Sequence, residues 1–242
     1  MQAIRNLLKK ARPLVRRGAL ALLPALLAVL VWPRVATSEP ALPADQAHPE
    51  KGEVRASEKI VFAGGCFWGV QAVFQHAKGV TKAISGYAGG ISPHPTYEEV
   101  SSGRTGHAES VEVTFDPKQI SFDQLLQVYF IVAHDPTQLN RQGPDEGSQY
   151  RSEIFVTNVA QRKAAEAYIQ SLEDSRQYPR PIVTEVDSLK EFYPAENYHQ
   201  DYATRHPGNP YIRMYDLPKI SALKASFPDV YRDQPVLVGD ER

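Results

Sequence analysis

Two hydrophobic periods alternate along the chain from about residue 58 to residue 216. Lys59-Ile60-Val61-Phe62-Ala63 is a short apolar run of the kind a buried strand shows, and Phe67, Val70 and Phe74 follow at helical spacing. Val111, Val113 and Phe115 alternate with Glu112 and Thr114, which predicts a half-buried strand. Ser121 with Gln124 forms a capping-box pattern that opens a helix through Leu125, Leu126, Val128 and Tyr129 to about His134. Ile154-Phe155-Val156 predicts another strand, Asn158 and Gln161 open an alanine-rich helix to about Ser171, and Ile182–Val186 supplies a further strand. Between these elements lie polar, aromatic-rich loops at 86–109, 134–152 and 191–216, the places where function usually sits on a small scaffold. No repeat or low-complexity tract interrupts the pattern. It predicts an α+β two-layer sandwich, helices packed against a mixed or antiparallel sheet with a ferredoxin-like core. Strand order stays open at this level.

The ends of the chain have a different texture. Arg5, Lys9, Lys10, Arg12, Arg16 and Arg17 precede the first acidic residue, an apolar stretch runs from Gly18 to Trp32, and Ala36-Thr37-Ser38 offers small residues for cleavage. That order predicts an export signal over residues 1–38 and a periplasmic location. The apolar stretch is short of the ~20 residues of a membrane span and contains Pro24, so an uncleaved membrane anchor is the alternative. Residues 39–57 carry Pro40, Pro43 and Pro49 without apolar periodicity, as a flexible linker would. Removing residues 1–38 takes seven basic residues and no acidic one. The balance then moves from 27 basic and 28 acidic to 20 and 28, and the net charge from −1 to −8. An acidic domain lacks the basic footprint that nucleic acid requires, so no nucleic-acid partner is expected. Residues 58–216 form the expected catalytic domain, large enough to bury a core as a monomer, and 217–242 an expected C-terminal tail.

Candidate chemistry centres on the single cysteine, Cys66, in Gly64-Gly65-Cys66-Phe67-Trp68-Gly69 at a strand-to-helix turn. Two glycines allow a sharp turn that uncovers the sulfur. The first turn of a helix presents unpaired N–H groups and the positive end of the dipole, which predicts a lowered thiol pKa and a reactive thiolate. One cysteine cannot form a disulfide within the chain. A buried, inert cysteine is the bland alternative, and the flanking glycines and aromatic pair weigh against it.

Further unusual segments occupy the loops: Gly86-Tyr87-Ala88-Gly89-Gly90, Gly106-His107-Ala108-Glu109, Asp145-Glu146-Gly147-Ser148-Gln149-Tyr150-Arg151-Ser152, and Phe192 through Gln200. With the Cys66 hexapeptide, in this order, the chain resembles the A-type peptide methionine sulfoxide reductases from about Lys59 to about Tyr215. The resemblance implies thiol-dependent reduction of the S epimer of methionine sulfoxide, protein-bound and free, through a Cys66 sulfenic acid. It further implies Glu109 as proton donor, Tyr87 and Tyr150 as phenols that hydrogen-bond the sulfoxide oxygen, and Asp145 as a carboxylate orienting the thiol side. Phe67, Trp68 and Tyr198 are the implied substrate-binding residues around the S-methyl group. No bound cofactor is implied.

One departure from the family pattern changes the expected catalytic cycle. Many members carry further cysteines in a glycine-rich C-terminal tail, whereas residues 207–242 here contain no cysteine and only Gly208 and Gly239. The sulfenic acid then has to be reduced by an external thiol: a thioredoxin-like or glutaredoxin-like protein, or a small thiol. Rival readings explain less. A cysteine hydrolase needs a histidine base, and His107, His134 and His199 lie in no local hydrolase signature. A metal-binding or partner-binding domain lacks paired ligand spacing, and the glycine clusters match no nucleotide-binding loop.

Overall fold

The computed structural model describes residues 57–239; the expected signal segment and all but the last residue of the linker lie outside them. The first strand, β1 (Glu58–Gly64), leads through the Cys66 turn into helix α1 (Phe67–Gln75) and then β2 (Val80–Ala88). A short helix α2 (Tyr97–Ser101), strand β3 (Ala108–Phe115) and helix α3 (Phe122–Val128) follow, and a single π-helical turn, Tyr129–Ala133, continues α3 toward His134. The two-residue strands β4 (Arg141–Gln142) and β5 (Asp145–Glu146) form a hairpin before β6 (Ser152–Val156). Helix α4 (Val159–Asp174), β7 (Glu185–Ser188), β8 (Phe192–Pro194), α5 (Tyr202–Arg205) and α6 (Leu217–Ser226) complete the order.

The main sheet runs β7-β6-β1-β3-β2-β8, antiparallel except for the parallel pair β6–β7. Its centre, β6-β1-β3-β2 with α1 and α3 as connections, is the ferredoxin-like arrangement expected from the pattern. β1 is covered on both faces, which is why it reads as an unbroken apolar run. Ile60 and Phe62 join α1, α3, α4 and α6 in one large cluster with Phe74, Leu126, Ala165 and Leu223. Val61 and Ala63 face a smaller cluster with Ala108 and Phe155. The predicted capping box of α3 forms: Ser121 Oγ accepts from the Gln124 N–H, and the Gln124 side chain accepts from the Ser121 N–H.

Three sequence expectations are displaced. Ile182–Thr184 lie outside the strand, which spans Glu185–Ser188, because β7 pairs only with β6 at the sheet edge. β2 had no sequence prediction, and it carries Gly86–Ala88 into the sheet from what reads as a loop. The segment from 217 onward packs as α6, buries Leu223 and pairs Tyr231 with Ala77. Among the described residues no helix is long and apolar enough to cross a membrane.

Candidate active site

Cys66 is the N-cap of α1, at the end of the central strand β1. Gly65 reaches this turn with φ +88°, a left-handed value that side chains rarely adopt. A Cβ there would also lie 2.5 Å from Gln142 Cβ. The glycine therefore does two jobs: it turns the chain and lets the β4–β5 hairpin, which carries Asp145, close against the cysteine. His134 holds the same corner from behind. Its ring contacts Ser152 Oγ at 2.7 Å and the Tyr129 carbonyl at 2.9 Å, while the Tyr129 hydroxyl donates to the Ala63 carbonyl. Burial pushes the His134 pKa down to about 4, so this histidine is a neutral spacer.

The thiol does not follow the sequence expectation. Its pKa lies well above the ordinary value, first because burial disfavours the thiolate and then because the carboxylates of Glu109 and Asp216 oppose it. The Trp68 N–H acts in the expected direction, as does the Lys219 ammonium, and both are outweighed. The helix terminus is present as predicted; the sequence pattern did not reveal the two acids whose charges oppose the thiolate.

Glu109 lies on β3 and is only 3% exposed. Its Oε2 accepts the Phe67 N–H at 3.0 Å, the first free donor of α1, which brings the carboxyl to the residue after the cysteine. Burial raises its pKa to about 8, against the Phe67 N–H and with help from the negative charge of Asp145. Near neutral pH this carboxyl is a protonated acid beside a sulfur. Asp145 accepts a hydrogen bond from the Tyr211 hydroxyl at the hairpin tip.

The aromatic residues separate into two groups. Phe67 is buried, with its ring 5.9 Å from Tyr87 and 5.0 Å from His199. Trp68 stacks on Tyr202 at 3.9 Å, and its indole N–H donates to His199 Nδ1 at 3.1 Å. These contacts lock two flat walls beside Cys66. Tyr198 is 58% exposed and touches the site through the His199 ring, on the rim. His199 itself is buried, with its pKa lowered by burial, and it orients the indole as a neutral acceptor.

Tyr87 stands opposite Glu109 in the β2–β3 register, yet it is fully buried and its hydroxyl donates to Glu196 at 2.9 Å. A phenol has one proton to give, so that of Tyr87 is already committed. Glu196 also accepts the Tyr97 N–H at 2.9 Å. Tyr97 opens α2, where Thr96 and Glu99 form a capping box, and its half-buried phenol feels the charges of both Glu109 and Cys66. Tyr150 is likewise half-buried and feels Glu109, Tyr97, Asp145 and Cys66. Cys66, Glu109, Tyr97, Tyr150 and Asp145 thus lie within electrostatic reach of one another, whereas the Tyr87 hydroxyl is spent on Glu196. Tyr97 was not singled out in the sequence, although Thr-x-x-Glu at 96–99 is a readable helix start.

The comparisons with known proteins agree with this geometry. The family model described as peptide methionine sulfoxide reductase matches residues 58–230. A Mesorhizobium japonicum protein named peptide methionine sulfoxide reductase MsrA 2 is 60% identical over 182 residues, which is 75% of this chain and 93% of that protein. Methionine sulfoxide reductase A of Corynebacterium diphtheriae superposes with a TM-score of 0.56 at 39% identity, covering 63% of this chain and 76% of that one. The reduced form of Mxr1 from Saccharomyces cerevisiae gives 0.59 at 32% identity, over 66% and 91%. A family model matched over most of the chain and a relative at 60% identity place the assignment beyond the site alone: this chain belongs to the peptide methionine sulfoxide reductase family and is one of its A-type enzymes.

Proposed function

We propose that the enzyme reduces the S epimer of methionine sulfoxide through a Cys66 sulfenic acid, in repair of oxidised exported proteins. The observation that carries this reading is Glu109, a buried acid with a pKa of about 8 tied to the N–H next to the cysteine. A sulfoxide is a poor electrophile until its oxygen is protonated or strongly hydrogen-bonded. Glu109 in its acid form donates to that oxygen. In the same form it carries no charge to oppose the thiolate, so one proton serves both partners. The Cys66 sulfur attacks the sulfoxide sulfur and forms an S–S bond; the protonated oxygen then passes to Cys66 with the pair of its S–O bond, and methionine leaves with the electron pair of the broken S–S bond. The balance is one thiol and one sulfoxide giving one sulfenic acid and one thioether. Two external thiol equivalents then release water and restore Cys66, first through a mixed disulfide.

Tyr97 and Tyr150 are the phenols placed to share the oxygen, while Tyr87 holds Glu196 and through it the backbone of Tyr97. Tyr97→Phe and Tyr150→Phe are each expected to lower kcat about tenfold or more, with Tyr87→Phe within about threefold of wild type, as suits a lost supporting bond. Steady-state kinetics of the three variants measure this directly, and a Tyr87→Phe loss exceeding the other two would restore Tyr87 as the donor.

Phe67 and Trp68 receive the S-methyl group, asking little of the rest of the substrate, which suits both peptides and the free amino acid. Export rests on the basic, apolar and small-residue order of residues 5–38, with a membrane anchor as the alternative. A thioredoxin-like or glutaredoxin-like protein, or a small thiol, closes the cycle. The reading is tested by giving the full chain each epimer of a methionine sulfoxide peptide with excess dithiothreitol and following methionine. Turnover of the S epimer alone is expected. Equal turnover of both epimers, or of neither, would sink the stereochemical assignment or the reaction.

A further inference from the structure

Behind α1 lies a charged pair that the reaction scheme above does not use. Asp216 is 0% exposed, and among the described residues neither of its carboxylate oxygens has a hydrogen-bond partner. Its countercharge is Lys219 Nζ at 3.6 Å, an ion pair just beyond hydrogen-bond length. Burying a carboxylate in this way is costly, and an apolar pair would fasten one helix to another at lower cost. The location suggests another reason for keeping it. A Cβ on Gly69 would lie 2.1 Å from Asp216 Oδ1 and 2.9 Å from Lys219 Nζ, so both charged ends press on the backbone of α1. Gly69 is three residues beyond Cys66, less than one helical turn.

Asp216 ends a second π-helical turn, Ile212–Asp216, and Pro218 lies in the first turn of α6. The residue before that turn is Tyr211, whose hydroxyl holds Asp145. The element carrying the pair is therefore fixed to the site at both ends, and π turns often occur where a site is built.

We propose that the Asp216–Lys219 pair is a positioning element for Cys66: Lys219 supplies the positive charge that favours the nucleophilic sulfur, and Asp216 fixes that ammonium against the first turn of α1. The proposal rests on Cys66 being the nucleophile. The groups around the sulfur make a cation necessary. Burial, Glu109 and Asp216 all disfavour the thiolate, whereas the Trp68 N–H and the Lys219 charge favour it. The phenols of Tyr97, Tyr150 and Tyr211 feel the Cys66 charge as a repulsion, and Asp145 adds negative charge at Glu109 and Asp216. His134 and His199, the nearby imidazoles, are both held toward their neutral forms by burial. Lys219 also acts on His134, which places its charge over the whole corner behind Cys66.

The test is the pH dependence of iodoacetamide alkylation at Cys66, the single cysteine of the full chain, in wild type, Lys219→Met and Lys219→Arg. Loss of the charge is expected to raise the inflection by about one pH unit and to slow alkylation near neutral pH about three- to tenfold, since a more basic thiolate regains part of its reactivity. Lys219→Arg is expected to recover most of the wild-type profile. Superimposable profiles for wild type and a folded Lys219→Met protein would overturn the proposal, leaving the pair as a tie for α6 that lowers Tm alone. An arginine variant that behaves like methionine would overturn it as well. If Lys219→Met does not fold, Lys219→Gln gives the same readout with a polar side chain. Alkylation is measured without sulfoxide, so failure of the proposed reaction shows separately, as absence of S-sulfoxide turnover by the wild type.

Discussion

Cys66→Ser is expected to bring sulfoxide reduction to background, a loss of at least about 10⁴-fold or roughly 5 kcal/mol of barrier. A serine hydroxyl in the same pocket is a weak nucleophile facing the same two acids, and its oxygen cannot accept a second oxygen as sulfur does. The stoichiometry makes the test sharper than the rate does. Without added thiol, the wild type should form one methionine per chain and then stop. With a single cysteine the oxidised enzyme cannot close an internal disulfide, so the sulfenic acid should persist and be trapped by dimedone on Cys66. Methionine release in a quench-flow burst, with mass spectrometry of the dimedone adduct, checks both. More than one methionine per chain in the absence of thiol would exclude the scheme, because nothing else in the protein could return Cys66 to its reduced state.

How much of this could be read in the sequence depended on how local the signal was. The α1 turn, the capping box that opens α3 and the buried β1 are written in consecutive residues, and the structure keeps each where the pattern placed it. β2 was obscured because its apolar positions, Val80, Ala83 and Ile84, neither alternate cleanly nor form a run, and its last residues, Gly86–Ala88, look like a turn until β8 pairs with them. The site shows the same division. Glu109 and Tyr150 sit in distinctive segments, Gly106–Glu109 and Asp145–Ser152. Tyr97 lies in an ordinary helix start, and only the fold shows that its phenol feels the charge of Glu109 while that of Tyr87 is spent on Glu196. Thiol ionisation was the least legible property. A helix N-terminus is a local feature that favours the thiolate, but Glu109 comes 43 residues later than Cys66 and Asp216 lies 150 residues away in sequence, so their opposition exists only once the chain is folded.

Glu109→Gln is expected to lower kcat about 10²- to 10⁴-fold with little change in KM, the cost of removing a proton donor while keeping an amide of the same shape. The glutamine carbonyl can still accept the Phe67 N–H, so the turn before α1 keeps its tie. The pH profile carries the argument further. The acid form is the donor, so wild-type activity should fall as pH rises through about 8, close to tenfold per unit above it. The residual activity of the variant should lack that limb. Wild-type stability should fall over the same range, so the substitution should affect stability and activity in opposite directions. The folded-state pKa lies above the ordinary carboxyl value of 4.5, so the stability linked to this proton is fully present below that value and is lost as pH rises through about 8. Glutamine has no proton to lose, and at alkaline pH the variant should melt higher than wild type by at least about 2–4 °C, the shift that 1 kcal/mol gives in a domain of this size. Calorimetry across the same pH range checks this. A structural role alone predicts that activity and Tm fall together; a buried acid kept for its proton predicts that they part, because the burial that makes Glu109 a donor near neutral pH is also what makes its charged form costly to the fold.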